Sequence, residues 1–200
     1  MVSDLQLFHQ QKHAPYKTFM FFALTGSAIL FLSLVIMFIV WITQNEPVES
    51  FTMPKSYILS TIVLLISSYT TSLIPRFFKD DNSTGLLLSL SGTLLLSAIF
   101  LVLQVMGWKA LFTSGFTIQK EAGVSFLYII SGLHFIHVAG GMVYLLFLTI
   151  KAVEIWNEPV KGLMYFTNEF ERFRLELFST YWHYIDALWL FLFLTFLFTI

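Results

Sequence analysis

The sequence contains no cysteine, and charged residues make up only 12% of its 200 positions. Without cysteine the chain cannot form disulfides, thiolate copper centres, iron–sulfur clusters or covalently attached haem. Its formal net charge is −1, which gives no overall basic character for binding nucleic acid, so no nucleic-acid partner is expected. Apolar residues, in contrast, make up 57% of the chain and occur in long blocks.

Five of these apolar blocks are long enough to cross a bilayer as an α-helix, which needs about 20 residues. No block alternates polar and apolar residues in the manner of a membrane-spanning strand. The sequence therefore predicts an all-α polytopic membrane protein, an antiparallel bundle of five transmembrane helices with polar connections, of which the fourth, residues 151–176, is longer and rich in charge. The predicted helices span approximately 18–43, 56–75, 85–108, 124–150 and 177–200.

Lysine and arginine are distributed unevenly between the two sides of the predicted bundle. Eight of the 11 basic residues precede the first helix or lie in the second and fourth connections. Because an excess of basic residues marks the cytoplasmic side, we predict the N-terminus inside and the C-terminus outside. Residues 1–17 are then a cytoplasmic N-terminal tail and residues 18–200 the membrane domain. The first apolar block is too long for a signal-peptide core, so we expect the first helix to be retained.

Four ionisable side chains lie well inside the predicted helices, where they are costly enough to require a reason. His134 and His137 share one face of the fourth helix, and His183 and Asp186 share one face of the fifth, because residues three apart lie on the same side. With a rise of 1.5 Å per residue in antiparallel helices, His137 and Asp186 reach similar depths, which allows a cross-helix hydrogen bond. These four residues form the candidate functional site.

The residues alone leave three interpretations of this site open. In the first, the four side chains satisfy one another and fix helix register as a structural polar clasp. In the second, His183 and a histidine of the fourth helix ligate haem or a metal ion, although Trp182 and Tyr184 crowd His183. In the third, the carboxyl and the imidazoles relay protons, although the first three helices contribute no ionisable side chain to their interiors.

Two long motifs resemble those of a known family. The sequence YWHYIDALWLF resembles the signature YWHFVDxxWxxLF of subunit III of haem–copper terminal oxidases. The sequence SFLYIISGLHFIHVAGG is similar to that family's SxFYxLTGxHxxHVxxG helix, and LLISSYT to its LLxSSxT. Further positions of this chain that match the family signature are Gln104, Trp108, Glu176, Trp182 and Trp189.

The resemblance covers about residues 17–200 and implies a subunit that carries no catalytic centre, haem or copper of its own. The metals are expected in subunits I and II. The chain is expected to pack mainly against subunit I, with subunit II, a larger respiratory supercomplex and membrane phospholipid as further partners. It would stabilise subunit I and support proton uptake during oxygen reduction in the bacterial cytoplasmic membrane. The clasp would then be structural.

This chain also departs from the family pattern. Thr25 and Gly26 stand where the family typically has a Ser–Glu pair, and Gly107 precedes Trp108 where glutamate is common. Roles of those carboxylates therefore do not extend to this chain. Longer family members have seven helices, and this chain resembles their last five. Two other functions stay open, a subunit-III-like accessory protein of nitric oxide reductase and an independent haem b electron carrier.

Overall fold

The computed structural model describes residues 2–45, 53–116 and 122–199, and within these ranges the chain forms α-helices and no strand. Five of these helices are long and apolar enough to cross a membrane, which confirms the predicted all-α membrane fold. A sixth, α5, has only eight residues. The helices are α1 (Val2–Gln44), α2 (Lys55–Lys79), α3 (Ser83–Thr113), α4 (Ala122–Asn157), α5 (Pro159–Phe166) and α6 (Glu169–Thr199).

The helices extend beyond the apolar blocks that predicted them, because polar residues at their ends continue the backbone hydrogen-bond ladder. α1 begins at Val2 rather than near residue 18, so most of the segment predicted as an N-terminal tail continues the first helix. α4 and α6 together take up most of the long, charge-rich fourth connection. α5 was not predicted. It starts at Pro159, whose fixed φ angle suits the first position of a helix.

Polar residues close the turn between α2 and α3. Asn82 precedes α3, and its side-chain Oδ1 accepts a hydrogen bond from the Gly85 backbone N–H at 2.8 Å. This is the bond expected of a helix N-cap. Asp81 adopts a φ angle of 49°, in the left-handed region that aspartate tolerates better than most residues. The chain therefore reverses within three residues, and α2 and α3 pack side by side in opposite directions.

Ring contacts show which helix ends lie together. Tyr16 near the start of the apolar part of α1 contacts Phe170 at the start of α6, with ring centroids 6.2 Å apart. Phe78 at the end of α2 contacts Tyr165 of α5, with centroids 5.5 Å apart. These ends and α5 form one side of the bundle, called here the N-terminal side. Successive spanning helices therefore run in opposite directions, as predicted.

α6 is the central helix of the bundle. It packs against α1, α2, α4 and α5, and its Trp189 ring reaches α3 through Phe100, with centroids 5.3 Å apart. The interior of the bundle contains many buried serine and threonine hydroxyls. Large apolar side chains such as Phe19 and Phe22 are exposed on its outer surface. Large apolar side chains also fill the interior, so it is the apolar outer surface that is typical of a bundle surrounded by lipid.

α4 and α6 approach each other closely at Gly141, and replacing this glycine tests the packing. A Cβ atom there would lie 3.0 Å from ring carbons of both Tyr181 and Trp182. We expect Gly141→Ala to destabilise the bundle by about 1–3 kcal/mol, the usual cost of overpacking a tight interior. The measurement is reversible unfolding of the chain in detergent micelles.

The matched control is the neighbouring Gly140→Ala, because a Cβ atom at residue 140 meets no atom within 4 Å. This substitution should leave stability unchanged or raise it slightly, since alanine favours helix more than glycine does. Equal losses for the two variants would contradict the close approach of α4 and α6 at Gly141.

Candidate functional site

Residues 181–189 of α6, called here the α6 polar segment, open with four consecutive ring side chains that carry polar tips. Four successive residues cover the whole circumference of a helix, because each turn holds 3.6 residues. On the side of α1, the Tyr184 hydroxyl oxygen lies 2.6 Å from Ser27 Oγ. On the side of α4, the Tyr181 hydroxyl donates to the His137 carbonyl oxygen at 3.1 Å. The segment thus bonds to two neighbouring helices through tyrosine hydroxyls.

Two tryptophans of the α6 polar segment bond to α2. Trp182 Nε1 donates to Ser67 Oγ at 3.1 Å, and Trp189 Nε1 donates to Thr61 Oγ1 at 3.1 Å. Both indoles are buried. They lie on one face of α6, since seven residues make about two turns, and they meet hydroxyls about two turns apart on the antiparallel α2. Each indole N–H therefore finds a partner inside the bundle, where the surrounding hydrocarbon would offer none.

His183 and Asp186 of the predicted clasp both lie near Ser68 of α2. His183 Nδ1 is 2.9 Å from Ser68 Oγ, and the same hydroxyl is within interaction range of the Asp186 carboxyl. Among the hydrogen bonds of the residues that the structure describes, none joins His183 directly to Asp186. The Asp186 side chain is 6% exposed, and its Oδ2 has no partner in the described part of the chain. Ser68 is therefore the group that the two share.

His134 and His137 of the clasp have different surroundings. His134 is fully buried, with its ring 5.0 Å from that of Trp189 and 5.8 Å from that of Phe100, measured between centroids. Neither of its ring nitrogens has a hydrogen-bond partner within the described ranges. The His137 Nδ1–H donates to the carbonyl oxygen of Leu133 on its own helix at 2.8 Å. The sequence allowed a hydrogen bond between His137 and Asp186, because the two residues reach similar depths. This bond is not among the hydrogen bonds of the described residues.

The arrangement is suited to joining helices. Aromatic rings enclose His134, and Ser68 engages Nδ1 of His183. Within the described residues, no three His, Asp or Glu side chains lie together in a way that could hold a metal ion. The hydrogen bonds of the α6 polar segment instead reach α1, α2 and α4. Contacts of this kind can fix the register and rotation of one helix against its neighbours.

Gln104 and Trp108, two of the signature positions, join α3 to its neighbours in the same way. The buried Gln104 donates from Nε2 to Ser60 Oγ of α2 at 3.1 Å. Trp108 Nε1 donates to Ser131 Oγ of α4 at 2.9 Å. Polar side chains at these two positions therefore have a structural role that the sequence motif alone did not specify.

The two positions that depart from the family pattern differ in their surroundings. A Cβ atom at Gly107 would lie 2.9 Å from the ring of Tyr57, so this ring occupies the space that a larger side chain would need. A Cβ atom at Gly26, in contrast, would meet no atom within 4 Å. The glycine at position 107, where the family commonly has glutamate, is therefore explained by the neighbouring Tyr57 ring. No described contact explains the glycine at position 26.

A charged cluster on the N-terminal side was not singled out from the sequence. The mostly buried Glu171 of α6 accepts hydrogen bonds from Lys151 Nζ at 2.7 Å and from Arg174 Nη1 at 3.4 Å. The Lys151 ammonium also lies 5.1 Å from the ring centroid of Tyr165. Burial raises the pKa of the Tyr165 hydroxyl, which keeps this side chain neutral beside the carboxylate. The cluster joins α4, α5 and α6.

Glu176, the acidic signature position, lies at the surface of α6. It accepts a hydrogen bond from Arg172 Nε one turn earlier at 3.0 Å, and both side chains are about half exposed. Exposed ion pairs of this kind contribute about 0–1 kcal/mol to stability. No described contact within this chain requires an acid at this position.

Fold and site together define a polytopic helical membrane protein whose buried polar side chains join its helices. The family model described as "Cytochrome c oxidase subunit III" matches residues 18–199, nearly the whole chain. The chain belongs to the cytochrome c oxidase subunit III family. This confirms the family inferred from the two sequence motifs.

Curated relatives come from both bacteria and animals. The chain is 30% identical over 174 residues to "Cytochrome c oxidase subunit 3" of Bacillus subtilis (strain 168), covering 85% of this chain and 79% of the relative. It is 29% identical over 153 residues to the protein of the same name from Pelomedusa subrufa, covering 76% of this chain and 52% of the relative.

A third relative carries a different name. This is "Cytochrome bo(3) ubiquinol oxidase subunit 3" of Buchnera aphidicola subsp. Baizongia pistaciae (strain Bp), 28% identical over 136 residues, which cover 68% of this chain and 65% of the relative. The chain thus spans from about half to less than two thirds of the length of several curated relatives that it matches.

A double-mutant cycle on Tyr184 and Ser27 tests the bond that joins α6 to α1. Each of Tyr184→Phe and Ser27→Ala removes one hydroxyl, and we expect a coupling energy of about 0.6 kcal/mol, with an upper bound of about 1.7 kcal/mol for such bonds in membranes. The measurement is unfolding of the single and double variants in micelles. Tyr69→Phe is the control, because this tyrosine of α2 is exposed. A coupling energy of zero would contradict the bond.

Proposed function

We propose that this chain is a non-catalytic subunit III of a haem–copper terminal oxidase and works beside subunits that carry the haem and copper. The observation that supports this most directly is the family match over residues 18–199, which includes the α6 polar segment. Its relatives are named as subunits of cytochrome c oxidases and of quinol oxidases. The proposal holds for either electron donor, since the donor is bound by other subunits.

The proposed role is to stabilise subunit I and to support proton uptake indirectly. Most of the polar tips of the α6 polar segment are engaged with neighbouring helices of the same chain. The bundle therefore presents a mostly apolar outer surface, on which residues such as Phe19, Phe22 and Ile29 of α1 are exposed. We infer that subunit I covers part of this surface and that phospholipid covers the rest, with subunit II or a supercomplex as more distant partners.

We assign the N-terminal side of the bundle to the cytoplasm of a bacterial cell. Basic residues near the ends of spanning helices set orientation, and the side that holds more of them stays inside. To the opposite side we assign Lys55 and Lys109, and from the sequence alone Lys120, which lies outside the described residues. The basic residues assigned to the N-terminal side are Lys12, Lys17, Arg76, Lys79, Lys151, Lys161, Arg172 and Arg174.

We also assign the polar clasp a structural role, which the contacts of its members support. His183 bonds to α2 through Ser68, and the His137 carbonyl oxygen accepts from α6. His134 packs between rings of α3 and α6. A proton relay needs a continuous chain of groups that exchange protons, and the unpartnered nitrogens of His134 interrupt one. The clasp thus orients helices and leaves proton transfer to partner subunits.

Purification of the tagged chain from its native membranes in mild detergent tests this proposal. We expect a haem–copper subunit I to co-purify, identified by mass spectrometry, together with a reduced-minus-oxidised haem spectrum. The colour should stay with the partner when this chain is stripped off. Membranes that carry the untagged chain are the control. A chain that is alone and coloured, or one that co-purifies with a nitric oxide reductase, would overturn the proposal.

A further inference from the structure

A cleft with a volume of about 300 Å³, called here the α5 cleft, lies on the N-terminal side of the bundle. It is bordered by the α2–α3 turn, the end of α4 and α5. The turn and the first residue of α3 contribute Asp81 and Ser83, α4 contributes Trp156, and α5 contributes Leu163 and Phe166. This volume is at the lower end of the range for small-molecule sites, about 300–1,000 Å³. The wall of the cleft is partly polar and partly apolar.

The α5 cleft lies at the depth of phospholipid headgroups. The apolar block that predicted α4 ends at Ile150, and Trp156 follows six residues later, about 9 Å further along the helix. The block that predicted α2 ends at Pro75, about 6 Å before Lys79, the last residue of this helix. The polar layer of a bilayer extends roughly 5–8 Å beyond the hydrocarbon on each side. Two walls of the cleft therefore reach this layer.

The outer face of α5 is apolar at the same depth. Val160, Leu163 and Met164 share one face of this helix, because residues three and four apart are neighbours on its surface. Their side chains are between 72% and 77% exposed, whereas Tyr165 is buried against the bundle. An apolar helix face is stable in the boundary between headgroups and acyl chains. We therefore expect lipid to cover this face of α5.

The charged and aromatic groups of the α5 cleft favour a cation. The Asp81 side chain is exposed, and no hydrogen bond or ion pair of the described residues involves its carboxylate. Lys161 of α5 does not neutralise it, because this lysine pairs with Glu158 at 2.9 Å. Trp156 is half exposed, and the face of a tryptophan ring is the best aromatic partner for a cation. An ammonium group in the cleft would meet both features.

The start of α3 favours an anion beside this cation. The first backbone N–H groups of a helix have no partner within the helix, and the helix dipole attracts negative charge there. Asn82 satisfies the N–H of Gly85, which leaves the earlier ones. Ser83, the first residue of α3, lines the cleft and is only two residues from Asp81. A ligand with a cation and an anion close together would therefore fit better than a cation alone.

We propose that the α5 cleft binds the headgroup of a zwitterionic phospholipid that carries a primary ammonium group. The ammonium group lies against the Asp81 carboxylate and the Trp156 ring. The phosphate group lies at Ser83 and the start of α3, and the acyl chains follow the apolar face of α5. A lipid without an amine binds less well, because it brings no cation to the carboxylate. The inference rests on the membrane location of the chain and does not depend on the proposed function.

Native mass spectrometry of the purified complex tests the site, with the lipids counted that leave together with this chain. The complex is titrated with phosphatidylethanolamine or with phosphatidylglycerol, which has the same phosphate group but no amine. We expect the first lipid to bind about tenfold more tightly, the scale of one charge-assisted hydrogen bond. Asp81→Asn should remove this preference and leave the turn intact, because asparagine also tolerates a left-handed φ.

The matched control is Asp80→Asn, the same change at the adjacent exposed aspartate, which does not line the cleft and should keep the preference. Trp156→Leu, which removes the aromatic face, should weaken binding of phosphatidylethanolamine more than Trp156→Phe does. Free phosphoethanolamine, which has the headgroup without acyl chains, should compete weakly.

Three results would overturn the proposal. The first is equal binding of the two lipids to the unmodified chain, which needs no variant to fold. The second is an equal loss of preference in Asp81→Asn and Asp80→Asn. The third is binding of free phosphoethanolamine as tight as that of the lipid, since this would identify a soluble ligand instead of a membrane lipid.

Discussion

The fold of this protein depends on one constraint: a polar group inside a bilayer is costly unless it finds a partner within the protein. Apolar burial cannot hold the helices together there, because lipid tails are as apolar as leucine. The α6 polar segment meets this requirement through aromatic side chains, each of which carries one hydroxyl or N–H group that can bond to a neighbouring helix. Trp182 and Trp189 bond to hydroxyls of α2, and Tyr184 contacts a hydroxyl of α1. These bonds determine where α6 lies, and the other helices surround it.

The same principle extends away from α6. Gln104 and Trp108 of α3 each donate to a serine hydroxyl of a neighbouring helix. The N-terminal side, where the helix ends leave the apolar region, uses charges instead, through the pairs that Glu171 makes with Lys151 and Arg174. Hydrogen bonds between neutral side chains thus lie within the spanning segments, and ion pairs lie at their ends. This is expected because burying a charge in lipid is costly.

Much of this architecture could be predicted from the sequence. The lengths of the apolar blocks were enough to predict the five spanning helices, and the two motifs were enough to predict the family. The partners of the polar side chains could not be predicted, because a helix offers several hydroxyls and the choice depends on its rotation. Ser67 and Ser68 are adjacent in the chain, yet one meets Trp182 and the other His183. The expected direct contacts among the four clasp residues depended on depth alone, which does not determine rotation.

α5 was missed for a related reason: an eight-residue helix is too short for any count of apolar residues to detect. The role of Glu171 was missed because the fourth connection, residues 151–176, holds five acids interleaved with four bases, and only packing decides which acid is buried. Tyr57, whose ring stands against Gly107, lies 50 positions earlier in the chain. In each case the missing information was the arrangement of neighbouring helices rather than any local preference.

The measurement that tests this account most directly is the unfolding free energy, in micelles, of Trp182→Phe and Trp189→Phe against Trp156→Phe. All three changes shorten an indole to a phenyl ring, but Trp156 is half exposed and the other two are buried donors. The account predicts a loss of at least about 0.6 kcal/mol at each buried position, and a smaller loss at Trp156. Equal losses at all three positions would contradict the claim that indole-to-hydroxyl bonds hold α6 in place.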